Sequence, residues 1–136
     1  MYGSLDISTS GLLAQRARLE SITANIANQN TIMDANGRNV PFARRVVYFA
    51  GNPGAANPAA RSQGVHVAAI GKDPSFTLRY EPNDPLADED GYVKYPDINP
   101  AFEMMNMYDA QRAYEANLAA ADATKTIMAQ ALRLLA

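Results

Sequence analysis

The chain has 136 residues, a formal net charge of −2 and a pI near 5.3, which is one ordinary domain's length without the basic surface that nucleic acid or an acidic membrane would attract. It contains no cysteine, so disulfides, thiolate metal sites and thiol catalysis are all excluded. Alanine supplies 25 of the residues in its 48% hydrophobic fraction, leaving few bulky core formers, and so small a domain is expected to complete its core with neighbours.

The first residues, MYGSLDISTSG, lack the basic region, apolar run and small-residue cleavage site of a secretory signal. No span approaches the roughly 20 apolar residues that a bilayer requires, so direct membrane insertion is not expected. Leu5, Leu12, Leu19 and Ile26 recur at a seven-residue spacing, with Ile22 beside them on the same face, the period of a helix packed along another helix. The intervening half-positions Ser8 and Gln15 are polar. Gly11 weakens a helix by roughly 1 kcal/mol relative to alanine, so a self-sufficient zipper is not expected. The segment closes on Ile22 to Thr31, ITANIANQNT. Asparagine amides compete for backbone groups and disfavour helix interiors, so Asn25, Asn28 and Asn30 call for another use.

Asn36-Gly37 then marks a turn, and Val40 to Phe49, VPFARRVVYF, reads as a strand. Residues 51–64, GNPGAANPAARSQG, have no periodic apolar face and read as a flexible loop. Val65 to Ile70 and Ser75 to Tyr80 alternate apolar with polar or small residues, predicting two short strands separated by the turn-like Gly71-Lys72-Asp73-Pro74. In EPNDPLADEDGYVKYPD, Pro82, Pro85 and Pro96 forbid a helix, and Asp90-Gly91 supplies a tight turn.

Asn99-Pro100 opens a second helix: asparagine suits the N-cap, proline the first position, and Glu103 places negative charge near the positive helix end. About 36 residues without glycine or proline would make a rod of roughly 55 Å. On it Met107, Tyr114, Ala121, Met128 and Leu135 form one seven-residue series, flanked by Met104, Leu118 and Leu132, while Arg112, Glu115, Asp122 and Arg133 fall away from it. Ala110, Ala113, Ala120, Ala123 and Ala131 would let other helices approach closely. The fold class expected is α+β, with long N- and C-terminal helices pairing as an antiparallel, coiled-coil-like bundle. Residues 1–31 and 95–136 would form a discontinuous helical domain, with 32–94 a small β-rich insertion.

Two segments carry a wider likeness. One is Leu5 to Thr31, with Ser10-Gly11, Gln15, Arg18-Leu19 and Asn25-Ile26-Ala27-Asn28. The other is Gly91 to Leu135, where GYVKYPDIN precedes Glu103-Met104, Asn106-Met107, Arg112, Tyr114, Ala116-Asn117 and Lys125. In these the chain resembles the bacterial flagellar axial proteins, and among them the basal-body rod family of the proximal type. The likeness extends through Val46-Val47 and Tyr80-Glu81-Pro82 to Pro85, and departs at Phe42-Ala43, in the 51–64 loop and at Pro100. The resemblance implies a structural subunit of the rod that crosses the periplasm, exported by the flagellar type III apparatus without a cleaved signal. It implies as partners other rod proteins, copies of the chain itself, and basal-body ring or export-gate proteins. It also implies terminal helices that are poorly ordered in the monomer and fold together on assembly.

Leucine faces can slide past one another by a turn with little penalty, whereas a buried amide without its partner costs about 1–3 kcal/mol. Asn25 and Asn28, with Asn106 and Asn117 on the second helix, are therefore expected to hydrogen-bond across subunit contacts and fix register. For Asn28 and Asn30 the alternative is that they end the helix. The expected subunit-packing residues are Leu5, Leu12, Leu19, Ile22, Asn25, Ile26, Asn28, Met104, Asn106, Met107, Tyr114, Asn117, Leu118, Met128, Leu132 and Leu135.

Little suggests catalysis, a metal or a cofactor. His66 is the only histidine, with no GxSxG elbow or glycine-rich phosphate loop beside it, and reads as a face residue of a strand. Asp84, Asp88, Glu89, Asp90 and Gly91 lack the ligand ladder of a calcium loop and read as a solvated turn. Arg44-Arg45, beside Phe42, Tyr48 and Phe49, are too few to drive phosphate binding. Met104, Met105, Met107 and Met128 suit helix packing better than an adaptable binding groove. The competing function is a prefoldin-like chaperone, in which terminal helices also flank β hairpins, although such helices should be richer in glutamate and lysine.

Overall fold

The computed structural model describes residues 2–51 and 64–135, except for the side chains of Tyr2 and Leu135. The loop expected at 51–64 lies, apart from its end residues, outside these, as does the Leu135 side chain. In chain order the elements are α1 (Tyr2–Ala27), β1 (Arg44–Gly51), β2 (Val65–Asp73), β3 (Phe76–Tyr80), β4 (Tyr92–Pro96) and α2 (Pro100–Leu135). The architecture is α+β, as expected: two long helices pack together and two antiparallel two-stranded sheets, β1-β2 and β3-β4, lie between them in sequence.

The helix ends follow from local chemistry. Asn28 closes α1 by donating both its backbone N–H (3.1 Å) and its side-chain Nδ2 (2.8 Å) to the Ala24 carbonyl. Thr31 then donates its N–H to the Asn28 carbonyl and its hydroxyl to Asn28 Oδ1. At the start of α2, Asn99 Oδ1 accepts the Ala101 N–H at 2.9 Å and the Asn99 carbonyl accepts the Glu103 N–H. Pro100 occupies the first helical position, where its missing N–H would have been unpaired anyway.

The helices run antiparallel. A Cβ added at Gly11 would lie 2.8 Å from Asn117 Nδ2, and Asn25 reaches Glu103, so 14 residues forward on α1 correspond to 14 backward on α2. Small side chains make this approach possible. The buried residues of α1 are Ser8, Gly11, Ala14, Ser21, Ile22 and Asn25, and those of α2 are Glu103, Ala110 and Ala121. Leu5, Leu12, Leu19 and Ile26 stay partly exposed. Val93 and Ile98 join these in the apolar core, half of which, among the described residues, is alanine.

The insertion departs from its sequence reading in three places. Pairing in β1 begins at Arg44 rather than Val40: Pro41 has no N–H to offer, and the Phe42 N–H is already given to the Thr31 carbonyl. β2 runs on through Gly71-Lys72-Asp73, expected to be a turn, because these residues pair with Val46, Arg45 and Arg44. Gly71 is there for proximity, since a Cβ would meet the Tyr48 ring at 2.8 Å. The turn falls at Pro74-Ser75, where Asp73 Oδ1 accepts from the Ser75 N–H and hydroxyl. β4, unforeseen, pairs with β3 from Tyr80↔Tyr92 to Phe76↔Pro96. The expected tight turn before it is present: Gly91 adopts φ +81°, and Asp88 Oδ1 accepts the Asp90 and Tyr92 amides.

Candidate assembly surface and its internal latch

Asn25 and Glu103 are each only 1% exposed, an amide and a carboxylate inside an otherwise apolar and small-residue core. Such groups must be partnered or they destabilise strongly. Asn25 Oδ1 accepts the Arg45 N–H at 2.7 Å, and its Nδ2 donates to the Arg45 carbonyl at 2.9 Å and to Glu103 Oε2 at 3.1 Å. The other carboxylate oxygen, Oε1, receives Arg44 Nε at 2.8 Å and Nη2 at 2.6 Å. One cluster therefore ties α1, α2 and β1 together. It also changes the role expected of Asn25: both N–H groups of its amide are engaged within the chain, so the register it fixes here is that of its own two helices and first strand. Glu103 likewise does more than face the helix end.

A second asparagine repeats the device. Asn39 Oδ1 accepts the Lys94 N–H at 3.0 Å, and Nδ2 donates to the Lys94 carbonyl at 3.2 Å and the Ile32 carbonyl at 3.0 Å. In both cases a side-chain amide takes the N–H and C=O of one strand residue, as a neighbouring strand would. The capped groups lie on the edges of β1 and β4 that face away from their partners, the edges on which unwanted strand pairing starts.

The remaining expected residues divide by exposure. Asn28 serves the end of α1, and Asn30 is exposed in the turn that follows. Asn117 lies flat against Gly11. Asn106, Met107, Tyr114 and Met128 are half-buried, Ile22 is buried, and Met104, Leu118 and Leu132 are exposed. Phe102, Met105, Tyr108, Ile127 and Leu134 are also exposed, adding to the apolar surface of α2 beyond the residues singled out from sequence. Sequence reasoning missed Arg44, Arg45 and Asn39 as structural partners. The density of asparagine at the end of α1 marked Asn25 but not its partners.

Beside the latch lies a cleft of about 290 Å³ lined by Arg18, Ser21, Ile22, Arg44, Arg45 and Asn106, among others. Among the described residues, three groups outside the core carry shifted ionisation. The Ser75 hydroxyl and amide, with the Arg44 charge, hold the Asp73 carboxyl below its ordinary 3.8. The Arg38 amide and guanidinium do the same for Asp34, while the bond that the Tyr95 hydroxyl donates to Glu81 raises that phenol above its ordinary 10.0. Among the described residues no helix is long and apolar enough to cross a membrane.

Comparison with known proteins covers both ends and the whole. Residues 5–32 match the family described as "Flagella basal body rod protein", and residues 89–134 that described as "Flagellar basal body rod FlgEFG protein C-terminal". Over 98% of this chain and 97% of the relative, the sequence is 36% identical to flagellar basal-body rod protein FlgC of Bacillus subtilis (strain 168). The protein of the same name from Aquifex aeolicus (strain VF5) is 40% identical over 93% of this chain and 91% of its own. That of Escherichia coli O6:H1 is 38% identical over 95% and 93%.

Proposed function

Since the chain belongs to the flagellar basal-body rod protein family, and so is a structural subunit of that rod and not an enzyme, we propose that it transmits torque through helix–helix packing with neighbouring subunits. Family membership displaces the prefoldin-like alternative. The observation that carries the reading is the apolar surface left open on α2, where Phe102, Met105, Tyr108, Ile127 and Leu132 are all more than half exposed. Contiguous apolar surface of this kind is what an assembling subunit offers to its neighbours.

A shaft that turns must resist sliding between subunits. Partly exposed Leu5, Leu12, Leu19 and Ile26 on α1, with Met104, Leu118 and Leu132 on α2, give lateral contact area, while the latch holds the two helices and β1 in one register. The paired helices act as the axial domain and the β-rich insertion as a part that contacts adjacent subunits. Neighbours are other rod proteins and further copies of this chain, and assembly follows export without a cleaved signal.

Deleting the gene should abolish motility and leave an incomplete rod. An intact rod in the deletion strain would contradict the assignment. Replacing Asn25 with leucine should preserve helix content yet impair rod assembly, and unaltered motility would contradict the part given to register.

A further inference from the structure

The latch leaves positive charge unanswered beside it. The cleft at its side is lined by Arg18, Arg44 and Arg45 against the single buried carboxylate of Glu103. Arg44 is the one that Glu103 pairs. Among the described residues Arg18 has no ion pair, and Arg45 has only the Phe42 ring, 5.7 Å from its guanidinium carbon. Two arginines thus border an open cleft without carboxylate partners.

The opposite charge sits elsewhere on the same molecule. The connection between β3 and β4 carries Asp84, Asp88, Glu89 and Asp90 within seven positions and no basic residue. Asp84 and Asp88 direct one oxygen each at backbone amides and shape the turn. Glu89 and Asp90 are exposed and form no ion pair among the described residues. The five-residue strands β3 and β4 hold this turn roughly 17 Å from the hairpin's base, and that base, at Pro96, is what adjoins the start of α2 and Glu103.

We propose that the acidic turn at residues 84–90 of one copy docks in the arginine cleft of a second copy, with the carboxylates of Glu89 and Asp90 answering Arg18 and Arg45. This rests on the rod reading and specifies a contact within it. Arginine and carboxylate form short, charge-assisted and often bidentate bonds, and a cleft of about 290 Å³ has room for a carboxylate side chain. Turn and cleft are different surfaces, so the contact, made head to tail, repeats from copy to copy along an assembly.

The absence of cysteine makes the test specific. Chains carrying Arg18→Cys with Glu89→Cys, assembled into basal bodies and treated with a short bismaleimide, should give a ladder of dimers and higher multimers of this chain, and neither single variant should. A maleimide linker is used because an arginine–carboxylate pair separates its Cα atoms farther than a disulfide spans. The chain found in basal bodies but giving no ladder, or cross-linked to a different protein, overturns this contact alone. The chain missing from basal bodies overturns the rod reading and the contact with it. A charge swap guards against misfolding: Arg18→Glu should reduce swimming, and Arg18→Glu with Glu89→Arg should recover it. No recovery in a double variant that incorporates as well as the unaltered chain counts against the pairing.

Discussion

At the scale of single residues, stability concentrates on two buried polar side chains. Replacing Asn25 with alanine would leave the Arg45 N–H and carbonyl unpaired and remove one partner of a buried carboxylate. With about 1–3 kcal/mol for each unsatisfied group, the two stranded backbone groups alone predict a loss of about 2–6 kcal/mol, read as a lower urea midpoint with little change in slope. An unchanged midpoint would show that the latch is dispensable. Glu103→Gln keeps the shape but removes the charge facing Arg44, and should destabilise less than Glu103→Leu, which strands the half-buried guanidinium. Acid sensitivity belongs to exposed turns. Asp34 and Asp73 have folded-state pKa values below 3.8, so the bonds they accept are fully present above that value and are lost as pH falls through the depressed ones. The Asn36 and Arg38 amides, which donate to Asp34, should shift in ¹H–¹⁵N spectra with a midpoint below 3.8. A midpoint at or above it would contradict the assigned bonds. Tyr95 runs the other way: its pKa is raised, so its bond to Glu81 holds below pH 10 and is lost only as pH rises through the higher folded value.

Glycines and asparagines decide how the elements meet. Gly11 weakens α1 locally yet lets Asn117 lie where a Cβ would stand, trading helix propensity for close approach. Gly11→Ala should therefore not yield the roughly 1 kcal/mol that propensity alone predicts. Combining it with Asn117→Ala should recover most of that gain, a non-additivity readable in a double-mutant cycle; simple additivity would mean the helices do not touch there. Gly91 holds φ +81°, and Gly91→Ala should cost about 1–2 kcal/mol and loosen the β3–β4 pairing. Both helices were legible in the sequence because their signals are local: the seven-residue spacing, the Asn99-Pro100 start and the asparagines after Ile26. The insertion was only partly legible. Gly71 looks like a turn residue until its neighbour Tyr48 is known, and Val93 hides between Gly91 and Pro96 in a stretch dense with turn formers. The partner of Asn25 could not be read at all. A bond to Arg45 spans 20 positions and one to Glu103 spans 78, and no local pattern encodes either.

Over the whole molecule, a core that among the described residues is half alanine supports a long antiparallel pair whose apolar surface is only partly covered. The offset set by Gly11–Asn117 and Asn25–Glu103 places the described start of α1 near position 126 of α2. Roughly nine residues of α2, about 13 Å at 1.5 Å each, then run past it. Ile127, Leu132 and Leu134 lie on this stretch and are 59%, 67% and 88% exposed. A helix end with no tertiary packing opens readily and exchanges its amide hydrogens quickly. That neighbouring subunits cover this surface in the rod is tested most directly by hydrogen–deuterium exchange, read by mass spectrometry on peptides over residues 127–135, in the isolated chain and in purified basal bodies. Fast exchange in the free chain with strong protection in the basal body is predicted, and equal exchange in the two states would contradict it.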